Sequence, residues 1–419
     1  MKAIVFEEEG SMELRRVATY ASVLLCLGTA PAFARTLVVD NDGAECPKAE
    51  YTTIQQAVAA AQAGDKILVC PGLYLGTVVI DTSHLRIEAK AAPGEVVLQG
   101  TGVVGELGFV LLNTTGVVLQ GFTAQGFGRA QIRIQGGGGN TVRKNVTRDA
   151  VGNDGIQVTS SSANVVEQNT ADGNLQDGIF VGRITDIPFE PASDNIIRYN
   201  ETFNNRFGIH LNGSGPGNVI FGNRSHDNTQ RGIVNQNLSH GTEIKYNHVS
   251  ANGLTAIPGV AGVGVGINVA NSSLVTVRGN RTEGNGASGI TLTNAANNVV
   301  THNLSDENAA SGVQLNAATS SVVEKNLLVG NLDGVRMFSN TAANAAANSI
   351  QSNYVWRSGR DGIRAEVTSS DNRIERNIVI NSVEHDAHDD SVGTGTAGTA
   401  NFWVDNHCGT ENRLVLCDH

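Results

Sequence analysis

Beyond residue 35, apolar residues come in short alternations of three to five positions. Ile156 with Val158 and Ile209 with Leu211 are examples, Val166 and Ile197 are apolar positions of the same kind, and Asn, Gly and Asp punctuate them. Such runs are too short for helices and read as brief strands between turns. The pattern itself repeats. The phrase Asn298-Val-Val-Thr-His-Asn303, followed by Asn308 and Ser311-Gly-Val-Gln-Leu315, recurs along the chain. Its closing Asn returns from Asn145 and Asn169 through Asn280, Asn303 and Asn326 to Asn377. A second Asn follows five residues on, from Asn174 to Asn331, and a Gly-Ile or Gly-Val pair completes each unit, from Gly155-Ile156 to Gly362-Ile363. The commonest interval is 23 or 24 residues, as from 280 to 303 to 326. A fixed period of this size means a solenoid.

Each unit is expected to form a coil of three short strands and three turns, stacked on the next at about 4.8 Å. Ile and Val columns then fill the interior. An Asn that recurs at one bend bonds its equivalents above and below, so the Asn column belongs to the scaffold and not to ligand binding. One segment predicts a helix: Ile54, Ala57, Val58 and Ala61 give an apolar face, Thr52 or Thr53 caps the start and Gly64 the end. It is placed to cover the open end of the stack. Outward residues of the first strand alternate in charge (Arg143, Glu167, Arg198, Lys245), which reads as a solvated face with cross-strand pairing.

This helix, the phrase Gly64-Asp-Lys-Ile-Leu-Val-Cys-Pro-Gly-Leu-Tyr74 and the later N-x-I-x-x-N and G-I-x-L units resemble the right-handed parallel β-helix proteins of the pectin-lyase-like superfamily, over about residues 36–380. The resemblance implies an all-β right-handed parallel β-helix with an N-terminal capping helix. It also implies carbohydrate chemistry, since the superfamily includes polysaccharide lyases, hydrolases and epimerases beside proteins with no known reaction. The expected organisation is an upstream extension and secretion signal over 1–34, a cap over 35–64, the β-helix over 65–382, and a Gly/Thr linker with a disulfide-closed cap over 383–419.

Charge and cysteine refine the picture. With 29 basic against 40 acidic residues the net charge is −11 and only 5% of residues are aromatic, which argues against nucleic acid as a partner. Arg15 and Arg16, the apolar run Val17–Leu27 and Ala32-Phe-Ala34 read as an export signal with translation starting at Met12, hence a secreted or periplasmic protein. The run is too short to span a bilayer, and a monomer is expected. Cys46, Cys70, Cys408 and Cys417 separate into two ends, with Cys46–Cys70 and Cys408–Cys417 the economical disulfides.

In a regular solenoid, function is expected where the repeat breaks. Insertions at Arg183–Ala192, Leu254–Val263 and about Ser339–Ala347 all border the Gly-Ile strand column, so their loops would wall a groove along that sheet. Between the first two lie Asp177, Phe180, Arg183, Arg206, Phe207, His210, Asn212 and Arg231. Proton abstraction beside a uronate carboxylate needs a cation and a base: Arg206, Arg231 and Arg183 suit the first and His210 the second. Phe180, Phe207, Asn212, Gln236 and Asn268 are the expected sugar contacts, and Ca²⁺ is an alternative cation. Asp154 and Asp177 occupy equivalent places in successive coils and are the pair a hydrolase would need. However, Asp-Gly recurs at Asp333 and Asp361, which favours a turn role. The polygalacturonase pattern and the pectate-lyase W-x-D-H phrase are missing. Asp386-Ala-His-Asp389 is similar to the D-P-H-D/E phrase of mannuronan C5-epimerases. Following the last recognisable coil, the group His385, Asp386, His388, Asp389 and Asp390 reads as a polar loop, a metal site or a catalytic remnant. Phe402 and Trp403 are expected to cover the C-terminal end. Two readings stand: an exported lyase- or epimerase-type enzyme acting on an acidic polysaccharide, and a non-catalytic glycan-binding or envelope protein.

Overall fold

In a computed structural model of the chain, residues 34–92, 94–184, 190–254, 263–341 and 344–418 are described. The repeat closes into coils, and the coils stack into three parallel sheets of 15, 13 and 14 strands. Equivalent positions fall into register: Ile156 pairs with Ile179, Ile179 with Ile209, and Phe180 with His210. Alternate residues therefore form inward columns, and Ile179, Val181, Ile209, Leu211 and Ile233 are all fully buried. Residues 1–33, on which the export signal was expected, lie outside the described residues. So do 185–189, 255–262 and 342–343, the centres of the three insertions.

The corners are built from Asn. At the bend between the 15- and 14-stranded sheets, Asn200 donates its backbone N–H and its amide Nδ2 to Asn223 Oδ1 at 2.9 and 3.0 Å, and a second Nδ2 bond reaches Val166 O at 2.9 Å. The same links run from Asn145 through to Asn406. The second column does likewise at the next bend, for example Asn205 to Asn228. A third ladder, not foreseen from the sequence, occupies the remaining corner: Asn140 to Asn164 to Asn195 to Asn218, and again Asn348 to Asn372 to Asn401. Between these runs the corner place is taken by Thr242, Val275, Asn298 and Ser321, a mixture that hides the period. The Gly of the Gly-Ile pairs faces inward, in most coils against an amide of the second Asn column. A Cβ on Gly178 would lie 2.7 Å from Gly208 O and 2.9 Å from Asn205 Nδ2, so the column has no room for a side chain.

The helix spans Ile54–Ala60 and buries Ile54, Ala57 and Val58. Thr53 accepts from the Gln56 backbone N–H while the Gln56 side chain answers the Thr53 N–H, a reciprocal capping box. It stops at Ala60, short of Gly64, because Ala61 is already extended. Thr53→Ala is expected to cost about 1 kcal/mol, read as a lowered denaturant midpoint.

The C-terminal segment corrects an expectation. Residues 383–408 are not a linker. His385–Asp389 adds to the 13-stranded sheet, Phe402–Val404 to the 15-stranded and His407–Cys408 to the 14-stranded sheet. Ala387 takes the inward place below Ile363, and Trp403 is buried in register with Ile374, so the coil closes with different side chains. Phe402 is exposed and covers nothing. The disulfides form as expected, Cys46–Cys70 and Cys408–Cys417. Along the outer 15-stranded face, Arg198 pairs with Glu167 at 2.7 Å, as the charge alternation implied. Among the described residues no helix is long and apolar enough to cross a membrane.

Candidate functional site

The outward residues of the 13-stranded sheet bring most of the expected group together. Strands Asp177–Gly182, Phe207–Asn212 and Arg231–Gln236 are neighbours. Their register sets Asp177 beside Phe207 and Phe207 beside Arg231, then Phe180 beside His210, then Asn212 beside Gln236. Because Gly178 turns inward with Ile179, the Asp177 side chain is left on the outer face. Its Oδ2 lies 2.7 Å from His210 Nδ1. On the far side of the ring, Gln236 Nε2–H donates to His210 Nε2 at 2.9 Å. An amide N–H on Nε2 requires that nitrogen to be the acceptor, so the ring proton sits on Nδ1 and is donated to Asp177. Phe180 and Phe207 meet the imidazole edge-on, at centroid distances of 5.5 and 5.1 Å, leaving His210 only 6% exposed.

Two guanidiniums share the Phe207 ring, Arg206 at 4.8 Å and Arg231 at 5.5 Å from its centroid. Arg206 also donates to Gln176 Oε1 at 2.8 Å. Burial, and then the Arg206 charge, lower the pKa of Arg231, so positive charge is crowded on one side of the His210 ring. Arg183, Asn212, Asp154, Asp177 and Phe180 line a shallow depression of about 270 Å³ beside it. Asn268 is not part of this group. It is separated from His210 by the Val234 strand and is itself buried.

Asp154 and Asp177 are not turn residues. Each opens a strand of the 13-stranded sheet with its carboxylate nearly buried on the outer face, and Asp154 Oδ1 accepts the Asp177 backbone N–H at 3.1 Å. Burial, and then the Asp177 charge, hold the Asp154 carboxyl well above the ordinary carboxylate range, against the lowering effect of bonds from Gln157 and Asp177 N–H and the charge of Arg133. A carboxyl raised in the folded state contributes stability that is fully present below its ordinary value of 3.8 and is lost as pH rises through the folded value. Stability is therefore expected to fall with rising pH above that point, and Asp154→Asn to flatten the slope of melting temperature against pH.

A second charged cluster lies at the other end of the same sheet, where the sequence reading had found the His385–Asp390 side but not the Asp361 and arginine partners. Arg360 Nε donates to Asp333 at 2.9 Å, Arg364 Nη1 to Asp361 Oδ2 at 2.6 Å, and Arg336 Nε to Glu366 at 2.8 Å. Burial raises the pKa of Asp361, but hydrogen bonds from His388 and Arg364, with their charges, outweigh it and bring it to about 2. The bond to Asp361 raises the pKa of His388. The 24-residue step from Asp361 to His385 carried the signal, but Asp386-Ala387 stands where the other units have Gly-Ile. Of the five residues expected to hold a metal, two are ruled out by direction. Asp386 accepts the N–H groups of Ser382, Gly409 and Thr410. Asp389, fully buried, accepts from Ser391 N, Asn401 Nδ2 and Trp403 Nε1. Both are consumed in closing the last coil, whereas His385, His388 and Asp390 are only partly buried.

Known proteins resemble the chain in fold. Residues 102–248 match a family model described as a right-handed β-helix region, and residues 259–408 match one described as periplasmic copper-binding protein (NosD). No curated protein matches the sequence. Similar solved structures include the A-module of the mannuronan C-5 epimerase AlgE6 from Azotobacter vinelandii, at 16% identity and TM-score 0.54 over 85% of this chain and 93% of that one. The catalytic unit of a GH87 α-1,3-glucanase from Streptomyces thermodiastaticus aligns at 14% identity and TM-score 0.57 over 92% and 70%. The Dettilon tailspike protein aligns at 14% and 0.52 over 90% and 68%.

Proposed function

From a chain that is a right-handed parallel β-helix of the pectin-lyase-like type, we propose a protein that binds an acidic polysaccharide along the outer face of the 13-stranded sheet and abstracts a proton beside a uronate carboxylate, as a lyase or an epimerase. The observation that carries this reading is the meeting of a base and two cations on one aromatic ring. Asp177 fixes the His210 tautomer so that Nε2 keeps its lone pair, and Arg206 and Arg231 crowd positive charge onto Phe207 next to it. Substrate would displace the Gln236 amide from Nε2, and the guanidiniums would hold the carboxylate as charge develops on the sugar. Two carboxyls, Asp154 and Asp177, are too few oxygens for the cage that Ca²⁺ takes, and burial beside Asp177 pushes the Asp154 carboxyl above the ordinary carboxylate range, so the arginines supply the cation in this reading. Two disulfides support a periplasmic or extracellular setting.

A specific observation favours the second reading, a non-catalytic glycan binder: both ring nitrogens of His210 are already engaged and the ring is nearly buried. Incubation with a panel of polyuronates separates the two. The absorbance of an unsaturated product reports a lyase, and NMR of the recovered polymer reports an epimerase. Retention of a polyuronate with neither change would leave the binding reading alone, and no retention would sink both.

A further inference from the structure

We propose that Asp361, His385 and His388 form a binding site for a divalent transition-metal ion on the outer face of the last coil of the 13-stranded sheet. Register places Asp361 beside His385 and Arg364 beside His388. With Ala387 in the core and Asp386 turned to the coil end, the two imidazoles and the carboxylate are left on one side. One donor atom from each residue lies within 4.8 Å of the others. Asp361 Oδ1 stands 3.2 Å from His388 Nδ1 and 3.4 Å from His385 Nδ1, and the two rings meet edge to face at 5.1 Å.

Three features prepare this group for a metal. First, His385 Nδ1 is buried and makes no hydrogen bond. A buried polar atom left so costs about 1–3 kcal/mol, and coordination would supply its partner. Second, His388 Nε2 is 2.9 Å from Asp390 Oδ1. An Nε2–H donated to that carboxylate turns Nδ1 toward Asp361 Oδ1, with Arg364 Nη1 3.3 Å from the same nitrogen, the carboxylate–histidine arrangement that orients metal-binding imidazoles. Third, Arg364 grips the other oxygen of Asp361, Oδ2, and turns Oδ1 toward the imidazoles. Binding exchanges a proton: the metal takes the place of the Nδ1 proton that otherwise lies between His388 and Asp361, and the proton leaves to solvent. Two imidazole nitrogens and one carboxylate oxygen, with a position open to solvent, suit Zn²⁺, Cu²⁺ or Ni²⁺ and are too few oxygens for Ca²⁺. This site stands apart from the His210 groove, so its test does not depend on the reading above.

The experiment titrates untagged protein with Zn²⁺ and with Cu²⁺ by calorimetry and records the Cu²⁺ electron paramagnetic resonance spectrum. One equivalent is expected to bind, with nitrogen couplings from two imidazoles and release of protons that scales with buffer ionisation. His385→Gln together with His388→Gln should abolish the stoichiometric step while His240→Gln leaves it. Asp390→Asn should weaken binding by roughly 10–100-fold. Circular dichroism and melting temperature of each variant identify any that has not folded, and the single His385→Gln change, on a half-exposed side chain, then carries the test. Absence of a stoichiometric step in the wild-type protein would overturn the proposal, as would binding unchanged in the folded histidine variants.

Discussion

Replacing Asn200 by leucine is expected to destabilise the protein by about 3–6 kcal/mol. The Oδ1 of this side chain accepts both the backbone N–H and the Nδ2 of Asn169, at 2.9 and 3.0 Å, and its Nδ2 serves Val166 O. Leucine leaves the Asn169 backbone N–H and Val166 O without those partners, at about 1–3 kcal/mol each. It also removes the bond to Asn223 Oδ1, about 1 kcal/mol more, while Asn169 Nδ2 keeps its bond to Val142 O. Gain of apolar burial does not offset this, because the corner is built around polar backbone. Denaturant unfolding of wild type and variant measures it, and hydrogen exchange at Asn169 locates it. A loss below about 1 kcal/mol would show that the ladder ornaments the corner without holding it. Since a stack of coils approximates a one-dimensional array, the damage should spread mainly to the neighbouring coils.

His210→Ala is expected to lower turnover on the responsive polyuronate by about 10²–10⁴-fold, the range lost with a positioned general base. Asp177→Asn is a sharper test of the same idea. The asparagine retains the shape but can present its amide N–H to Nδ1, moving the ring proton to Nε2 and removing the lone pair needed for abstraction. Its turnover should therefore fall with little change in KM, whereas Arg206→Ala and Arg231→Ala should raise KM as well. Full activity in His210→Ala would remove His210 as the base and shift attention to the carboxyls of Asp154 and Asp177.

The scaffold was legible in the sequence because its interior tolerates so few alternatives. Asn at a corner and Gly beside Ile recur since each is trapped between identical neighbours, and the same register resumes after each insertion. Direction of side chains was harder to read. Asp-Gly has the composition of a turn, yet at Asp154, Asp177, Asp333 and Asp361 it opens a strand with the carboxyl outward, because the Gly is the residue that must face the crowded interior. The His210 group was readable from its place between two insertions. The Asp361–His388 group was hidden because Asp386 and Ala387 substitute for Gly and Ile, so one more coil passed for a loop. Asn268, chosen by column alone, failed because an outward position two coils away does not reach the same site.

The Asn ladders also have a direction. Each amide receives through its oxygen from the preceding coil and donates through its nitrogen to the following one, from Asn145 and Asn169 to Asn353, Asn377 and Asn406 without reversal. Aligned head to tail, such dipoles polarise one another and add, giving the solenoid an electrical axis with its negative pole toward the N-terminal end and its positive pole toward the C-terminal end. The two poles are finished differently. At the first, the oxygens of Asn140 and Asn145 are met by the N–H groups of Val117 and Phe122. At the other, where amide acceptors run out, Asn401 delivers an Nδ2–H to the fully buried carboxylate of Asp389. The ends of this stack are thus not interchangeable, and a cap grafted from one to the other would meet the wrong sign of charge.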